Sequence, residues 1–319
     1  MSKGLRLFDM HCDTAVELYR SGADLYDNNL HISLKKADVF EKYIQLAAFF
    51  TYPDLSDEEG WKVFLAALDS FKKQCAKYGV KIILTADDLT EFDKSEEKFA
   101  VILGIEDSRI LSGKLERVEE LYTLGIRVAT LLWGGPTCIG GSHDTDDGLT
   151  EFGKAAVREM ARVGIIPDIS HASFKSTDEI MDICEEMGVS PVATHMNSYT
   201  ERSHTRNLTD ERYMRLTNLG GVAGISLCPP HLTDTPDSSS SDDVLRHILR
   251  YRSLNESGVG FGCDYDGTNT PHDLADISAL PTVAPLLSKN ELTDEQTHRI
   301  YYGNVFEFMA KNLLSGAKK

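Results

Sequence analysis

Short apolar runs recur along this chain, and most stop at a Gly, Asp, His or Glu. Eight such runs lie near residues 5–10, 44–51, 100–105, 126–132, 164–169, 191–194, 221–227 and 258–263. Most of the intervening stretches carry apolar residues at three- and four-residue spacing, which predicts amphipathic helices. Strands that alternate with helices form parallel sheets, and eight such units predict a closed (β/α)8 TIM barrel. The carboxyl ends of its strands meet at one rim, where active sites form.

The length and composition favour one domain. The chain has 319 residues, of which 41% are hydrophobic, and barrels commonly reach this size as a single domain. No internal repeat divides it, so we expect one catalytic domain over residues 1–319. The polar segment 229–243 is expected to be a long, mobile loop at the barrel mouth rather than a linker. Residues 81–85 are expected to form a small extra strand within the second unit.

Two helix starts are marked by capping-box patterns. Ser56 with Glu59 precedes the amphipathic stretch 57–78, and Ser176 with Glu179 predicts a second start near residue 176. Each pair places a hydroxyl and a carboxylate three residues apart, where they satisfy the free N–H groups of the first helical turn.

Charge and cysteine content exclude several classes of function. The net charge of −17 argues against nucleic acid and against an anionic membrane surface as partners. The six cysteines are scattered without a C-x-x-C pair, which predicts free thiols.

The sequence enters its first strand within a few residues, leaving no room for a signal peptide, and no apolar stretch is long enough to span a bilayer. We therefore expect a cytoplasmic protein.

Four of the apolar runs end in residues that bind divalent metals. These residues are His11, Asp13, Glu106, His171 and His195. His11 and Asp13 are two residues apart, so their side chains leave a strand on the same face. One such residue alone is more often structural, but the whole set at four strand ends predicts a metal centre. Imidazole and carboxylate without thiolate favour Zn²⁺, with Mn²⁺ and Co²⁺ as alternatives, and a bridging Glu106 favours two ions.

Two further residues are candidates for catalysis and substrate binding. Asp264 ends the last run, and we expect it to accept a proton from the attacking water and donate it to the leaving amine. The alternative is that Asp264 or Asp266 only binds amides of its own loop. Arg206 follows the sixth run and offers a fork for a substrate carboxylate. An ion pair of Arg206 with Asp210 or Glu211 is an equally good explanation.

Six stretches together resemble the membrane (renal-type) dipeptidase family, peptidase family M19, over nearly the whole chain. They are Asp9-Met10-His11-Cys12-Asp13, Gly104-Ile105-Glu106, Gly148-Leu149-Thr150-Glu151-Phe152-Gly153, Asp168-Ile169-Ser170-His171, His204-Thr205-Arg206-Asn207-Leu208-Thr209-Asp210-Glu211 and Gly262-Cys263-Asp264-Tyr265-Asp266-Gly267. The fourth and fifth stretches are specific in combination, whereas no single piece would suffice.

The resemblance implies a barrel of the metallo-dependent hydrolase type that cleaves dipeptides with two zinc ions per chain. The implied ligands are His11 and Asp13 for one zinc and His171 and His195 for the other, with Glu106 as the bridge. A hydroxide shared by the metals would attack the peptide bond while Asp264 handles the proton, and Arg206 would bind the C-terminal carboxylate. Family members tolerate a D-residue at the C-terminal position, and the family implies a homodimer.

One departure from the family pattern concerns Trp133. Mammalian-type members carry a His after the fourth strand that helps to stabilise the oxyanion, and Trp133 takes its place here. An indole N–H donates one hydrogen bond but carries no positive charge. We expect Trp133 to contact substrate and to shift substrate preference. The secretion signal and lipid-anchor tail of the family are also missing, which indicates a bacterial-type cytosolic member.

Two other functions compete with a dipeptidase. The first is an N-acyl amino acid deacylase or a lactonase on a related amidohydrolase-like barrel. Many of those barrels open with His-x-His and use a bridging lysine, so the His11-x-Asp13 start and Glu106 count against that group, though not against N-acyl substrates. The second is a barrel that binds metal or peptide without turnover, an alternative that Trp133 keeps open.

Overall fold

Parallel strands curl into a barrel. The computed structural model describes residues 4–315. The strands are β1 (Arg6–Cys12), β2 (Lys42–Phe50), β3 (Lys81–Ile82), β4 (Phe99–Glu106), β5 (Ile126–Thr130), β6 (Ile166–Asp168), β7 (Ala223–Ile225) and β8 (Val259–Phe261). They pair in the order β6-β5-β4-β2-β1-β8-β7, and every pairing is parallel. The extra strand β3 pairs with β4 outside this path, as its sequence predicts.

The sixth apolar run closes the barrel between β6 and β7. Val192 forms a parallel bridge with Asp168, and Ala193 forms one with Ala223. This segment therefore occupies a strand position, although its pairing is too short for a regular strand. The predicted (β/α)8 architecture is confirmed, with seven strands and this segment around the barrel.

Helices connect most of the strands. The α-helices of residues 4–315 are α1 (Thr14–Ser21), α2 (Leu34–Ala37), α3 (Asp57–Tyr78), α4 (Ala86–Lys94), α5 (Arg117–Thr123), α6 (Glu151–Val163), α7 (Phe174–Met187), α8 (Asp210–Asn218), α9 (Pro229–Leu232), α10 (Ser241–Leu254), α11 (Val283–Lys289), α12 (Asp294–His298) and α13 (Asn304–Asn312). Short 3₁₀ turns lie at Ser108–Leu111, Pro236–Ser238 and Ile277–Thr282, and a π turn lies at Arg299–Gly303.

The two predicted helix starts have different outcomes. Helix α3 begins with the expected capping box of Ser56 and Glu59. The second prediction is wrong, because the cap of α7 is Ser173, three residues before Ser176, and its hydroxyl accepts from the Ser176 N–H at 2.9 Å. The carboxylate of Glu179 instead accepts the backbone N–H of Leu149, at 2.6 Å.

The polar segment 229–243 is helical over much of its length, which corrects the expectation of a long loop. Helix α9 spans its first four residues, and α10 begins at Ser241. His247 on α10 fixes this region to the barrel mouth, since its Nε2–H donates to the Leu232 carbonyl at 2.9 Å. Its Nδ1 accepts the Ser198 N–H at 3.0 Å, so both ring nitrogens of a neutral imidazole are satisfied.

Apolar side chains fill the layers around the barrel. One large buried cluster includes strand and helix residues throughout the fold, and a smaller one includes residues of β1, β2, β4 and α13. The six cysteines carry free thiols, as predicted. Within residues 4–315, no helix combines the length and apolar character needed to cross a membrane.

Candidate metal centre and active site

The five predicted metal ligands meet at the carboxyl ends of the barrel strands. Glu106 lies at the centre, with its Oε1 2.9 Å from His171 Nε2 and 3.4 Å from His195 Nε2. Its Oε2 lies 3.5 Å from His11 Nε2, which is itself 3.8 Å from Asp13 Oδ2. All five side chains are buried. The two oxygens of Glu106 thus face different histidines, which is the arrangement expected of a bridging carboxylate.

Possible ligand atoms fall into two overlapping groups. His11, Glu106 and His195 form one, and His11, Asp13 and Asp264 form the other, each with its ligand atoms within 4.8 Å of one another. The second group brings Asp264 within reach of a metal, a position that the sequence interpretation did not assign to it.

The protonation pattern of two histidines fits a cation. His171 Nδ1 lies 3.0 Å from the Trp133 carbonyl, which only accepts, so this nitrogen carries the proton. His195 Nδ1 lies 2.8 Å from the Thr194 hydroxyl, whose own hydrogen is donated to Asp168 at 2.6 Å. Both rings therefore present an unprotonated Nε2, and these two atoms are 2.8 Å apart. Two lone pairs that converge so closely suit a shared metal ion.

Burial tunes the acidity of the same groups. Burial lowers the pKa of His171 to about 3 and that of His195 well below its usual value, which leaves the neutral form that binds metals. At His11, burial lowers the pKa and the negative charge of Glu106 raises it. The effect of Glu106 is the stronger, so the pKa of His11 rises to about 10. Burial raises the pKa of Asp264 to about 7. A carboxyl group with that pKa can both accept and donate a proton near neutral pH.

The loop after β8 carries two aspartates, Asp264 and Asp266, whose side chains have different roles. Asp266 binds its surroundings, since its carboxylate accepts from the Thr14 hydroxyl at 2.6 Å and from the His31 N–H at 2.5 Å. Both aspartates have a left-handed backbone, with φ of 63° at Asp264 and 68° at Asp266, so the backbone does not distinguish them. Of the two, Asp264 has the side chain that belongs to the metal-facing group. The Asp266 carboxylate therefore has a structural role, although its partners lie in other segments rather than in its own loop.

Gly267 leaves space for two of these carboxylates. A Cβ atom at this position would lie 2.1 Å from Asp13 Oδ2 and 2.6 Å from Asp264 Oδ1. Both distances are far below van der Waals contact, so any side chain here would displace at least one carboxylate. The glycine is thus a requirement of the site rather than of a turn.

Arg206 is a buried guanidinium with unused hydrogen-bond capacity. It is 1% exposed, and its Nη2 reaches the His195 carbonyl at 3.5 Å. Its Nε and Nη1 atoms find no partner among residues 4–315. Asp210 pairs with Arg250 instead, which removes one structural explanation offered by the sequence. A buried cation without a partner is costly, so this arrangement is suited to receiving an anion.

Asp168 and Thr194 support the ligands, and the sequence interpretation missed both roles. Asp168 is fully buried, and its Oδ2 accepts hydroxyl hydrogens from Thr130 and Thr194, each at 2.6 Å. The Thr194 oxygen also lies 3.3 Å from His11 Nδ1, in addition to its contact with His195. One hydroxyl thus orients two imidazoles. Both residues adjoin recognised ligands in sequence, but this contact across three strands requires the fold.

His143 is a third residue that the sequence did not indicate. Its ring lies 5.7 Å from that of His171, and its backbone N–H donates to the His171 carbonyl at 2.7 Å. Burial, with the nearby charge of Arg206, lowers its pKa to about 4, so the ring is neutral. Its Nδ1 is buried without a hydrogen-bond partner in the described part of the chain.

A cavity of about 360 Å³ opens above the predicted ligands. It is lined by Asp13, Val16, Glu17, Arg20, Phe50, Tyr52, Glu106, Trp133, His171, Asp264, Asp266 and Gly267. Trp133 lies at its mouth with 38% of its surface exposed, and its ring centroid is 5.0 Å from that of Phe50. The cavity thus joins the metal-ligand cluster to an aromatic side wall.

A sequence model of the membrane dipeptidase family, peptidase family M19, matches residues 1–316. The chain belongs to this family. Two curated relatives are uncharacterised dipeptidases of Schizosaccharomyces pombe (strain 972). One is 28% identical over 263 residues, which is 78% of this chain and 62% of the relative. The other is 28% identical over 239 residues, or 72% and 57% of the two chains. This M19 chain therefore spans about three fifths of those relatives.

Several solved structures share the fold. A metallo peptidase from Rhodobacter sphaeroides, liganded with a phosphinate mimic of the dipeptide L-Ala-D-Ala, has a TM-score of 0.88 at 22% identity, covering 97% of this chain and 100% of that one. The dipeptidase AC of family M19 has a TM-score of 0.89 at 22% identity, with 98% and 99% covered. A probable dipeptidase from Pseudomonas aeruginosa has a TM-score of 0.85 at 16% identity, with 96% and 95% covered.

Proposed function

We propose that this M19 protein is a zinc-dependent dipeptidase with two zinc ions per chain. The observation that carries the proposal is the convergence of three imidazoles and two further carboxylates around Glu106, together with the buried guanidinium of Arg206, which has unused donors among the described residues. Zinc would be held by His11 and Asp13 on one side and by His171 and His195 on the other. Bound zinc lowers the pKa of water and polarises a peptide carbonyl.

The residues of this chain supply the other steps. Asp264 accepts the proton of the attacking water and passes it to the leaving amine, for which a pKa of about 7 is well placed. Arg206 binds the C-terminal carboxylate of the dipeptide through its guanidinium, whose Nε and Nη1 atoms have no partner among the described residues. That contact restricts the reaction to peptides that end one residue beyond the scissile bond.

The substrate expectation includes a D-residue at the C-terminal position. Its support is the family resemblance together with the L-Ala-D-Ala mimic held by the Rhodobacter sphaeroides relative. L-Ala-D-Ala and L-Ala-L-Ala are therefore the reference pair for an assay. We further propose a cytoplasmic homodimer, which cell fractionation and light scattering would test.

The direct test compares metal content with turnover. We expect close to two zinc per chain in purified protein, and an Asp264→Asn variant that keeps both ions while losing hydrolysis. Loss of one zinc in that variant would make Asp264 a ligand instead, as its position beside His11 and Asp13 allows. Full activity with both ions retained would refute the proton-transfer role.

A substrate panel separates the dipeptidase from its closest competitor. The panel contains dipeptides of both C-terminal chiralities, the matching dipeptide amides and N-acyl amino acids. We expect turnover of free dipeptides and little turnover of the amides, because Arg206 requires a carboxylate. Turnover of the N-acyl compounds alone would favour the deacylase, and no turnover of any compound by the zinc-loaded protein would favour a binding protein.

A further inference from the structure

We propose that the wall formed by Phe50, Tyr52 and Trp133 binds the side chain of the N-terminal residue of the substrate and selects large apolar, especially aromatic, side chains. This inference rests on the proposed dipeptidase function and narrows its substrate class.

The three rings support one another. Phe50 meets Trp133 edge to face with centroids 5.0 Å apart, and it meets Tyr52 edge to face at 5.2 Å. The guanidinium of Arg20 lies over the Tyr52 ring at 5.1 Å from its centroid. Rings held by such contacts lose little freedom when a ligand binds, so a substrate ring adds its own contacts at low entropic cost.

Phe50 of the wall and Arg206 lie on opposite sides of the barrel mouth, because β2 is four strand positions from the segment 192–195. Phe50 ends β2 and Trp133 follows β5, whereas Arg206 follows the segment 192–195 between β6 and β7. Arg206 does not line the cavity that contains the wall, while Glu106 and His171 do. A dipeptide whose carboxylate is held by Arg206 and whose peptide bond lies at the metal centre therefore extends its N-terminal residue towards the wall.

The charges around the cavity disfavour an acidic side chain. Asp13, Glu17 and Asp266 line the cavity with the wall, and the one cation there, Arg20, is paired with Glu17 at 2.8 Å. A carboxylate in this position would meet the carboxylates of Glu17 and Asp266, whereas an apolar ring would meet ring faces and edges. The cavity of about 360 Å³ is within the range of small-ligand pockets, so it admits a large side chain.

Steady-state kinetics on Phe-Ala, Leu-Ala, Gly-Ala and Glu-Ala test the preference. We expect kcat/KM for Phe-Ala to exceed that for Gly-Ala by about tenfold or more, with Glu-Ala the poorest, because each aromatic contact contributes on the order of a factor of ten. In Trp133→Ala, the ratio of kcat/KM for Phe-Ala to kcat/KM for Gly-Ala should fall about tenfold. The backbone carbonyl that binds His171 remains in this variant.

A binding measurement does not depend on turnover. The chain has two tryptophans, so a Trp61→Phe variant reports the fluorescence of Trp133 alone. Trp61 lies on α3, where it packs against Phe64 and Arg117 away from the cavity. In the zinc-loaded Asp264→Asn background, we expect Phe-Ala to change Trp133 emission at concentrations at least tenfold below those needed with Gly-Ala.

The two proposals fail in different ways. Equal kcat/KM for Phe-Ala and Gly-Ala, or a preference for Glu-Ala, overturns the wall assignment while the dipeptidase function stands. Absence of hydrolysis of every dipeptide overturns the function, and the fluorescence titration then decides the wall assignment alone. A Trp133→Ala variant that loses Gly-Ala and Phe-Ala activity equally would also overturn it, because the side chain would then act on all substrates.

Discussion

Replacing Thr194 by valine should weaken zinc binding by about two orders of magnitude. Valine keeps the shape of threonine but removes the hydroxyl that lies 2.8 Å from His195 Nδ1, 3.3 Å from His11 Nδ1 and 2.6 Å from Asp168 Oδ2. Both imidazole N–H groups would lose their acceptor at buried positions. A buried donor without a partner costs about 1–3 kcal/mol.

The magnitude follows from the number of ligands affected. Loss of a single outer partner of a metal-binding histidine typically costs 10- to 100-fold in metal affinity. Here one hydroxyl serves two ligands, so we expect the upper end of this range, roughly 100-fold or about 2.7 kcal/mol. Thr194→Ser keeps the hydroxyl and is the matched control, with zinc affinity within about threefold of the wild type.

Competition with a chromophoric zinc chelator measures the effect directly, and circular dichroism of the zinc-free proteins checks that each variant folds. The valine variant should release at least one zinc at chelator concentrations that leave the serine variant loaded. A folded valine variant with wild-type zinc affinity would refute the argument that this hydroxyl orients the ligands. Equal weakening in both variants would point to packing at this position rather than to the hydrogen bonds.

Three further changes test other parts of the site and fold. Gly267→Ala should lose at least one zinc and most activity, because its methyl group collides with Asp13 and Asp264. The control is Gly134→Ala, whose methyl group meets no atom within 4 Å and which should keep its zinc and its activity. Metal analysis and kinetics measure the two effects. Arg206→Lys should lower kcat/KM for dipeptides about 100-fold, mainly through a higher KM and with unchanged zinc content. The reason is that a single ammonium charge replaces a guanidinium that can bind both carboxylate oxygens. An unchanged KM would exclude carboxylate binding at Arg206. Burial lowers the pKa of His247 to about 4 in the folded protein, compared with about 6.5 in the unfolded chain. The neutral side chain therefore contributes its full stability above pH 6.5, and this contribution is lost as the pH falls towards 4. In urea unfolding, the free energy of unfolding should therefore fall between pH 7.5 and pH 5 by about 2 kcal/mol more in the wild type than in His247→Gln. An equal fall in both proteins would contradict the neutral state assigned to His247.

The sequence was sufficient to predict the barrel and the meeting of its strand ends. A run such as Ala100–Ile105 followed by Glu106 predicts a buried strand with a polar group at its end. Because the strands are parallel, their carboxyl ends lie close together. The convergence of His11 and Glu106 is of this kind. These features depend on local order along the chain, which the sequence shows directly.

Other features depend on competition between neighbouring groups. Ser173 and Ser176 are both good caps, and α7 begins at the first because Glu179, which completes the second pattern, is bound by Leu149 from another loop. The support that Thr194 gives to His11 likewise joins residues 183 positions apart. Such contacts are set by the closed barrel, so spacing within one segment could not reveal them.

One of the shortest pairings in the barrel lies beside one of the proposed ligands. The segment 192–193 joins β6 and β7 through single bridges, whereas β2 and β4 pair over eight residues, and His195 directly follows this seam. Zinc held jointly by Glu106 of β4 and His195 would cross-link a part of the barrel where the strand pairing is short. Removing zinc with a chelator should then speed hydrogen exchange first at the amides of Ala193 and Gly224 along the seam, while the β2–β4 ladder stays protected.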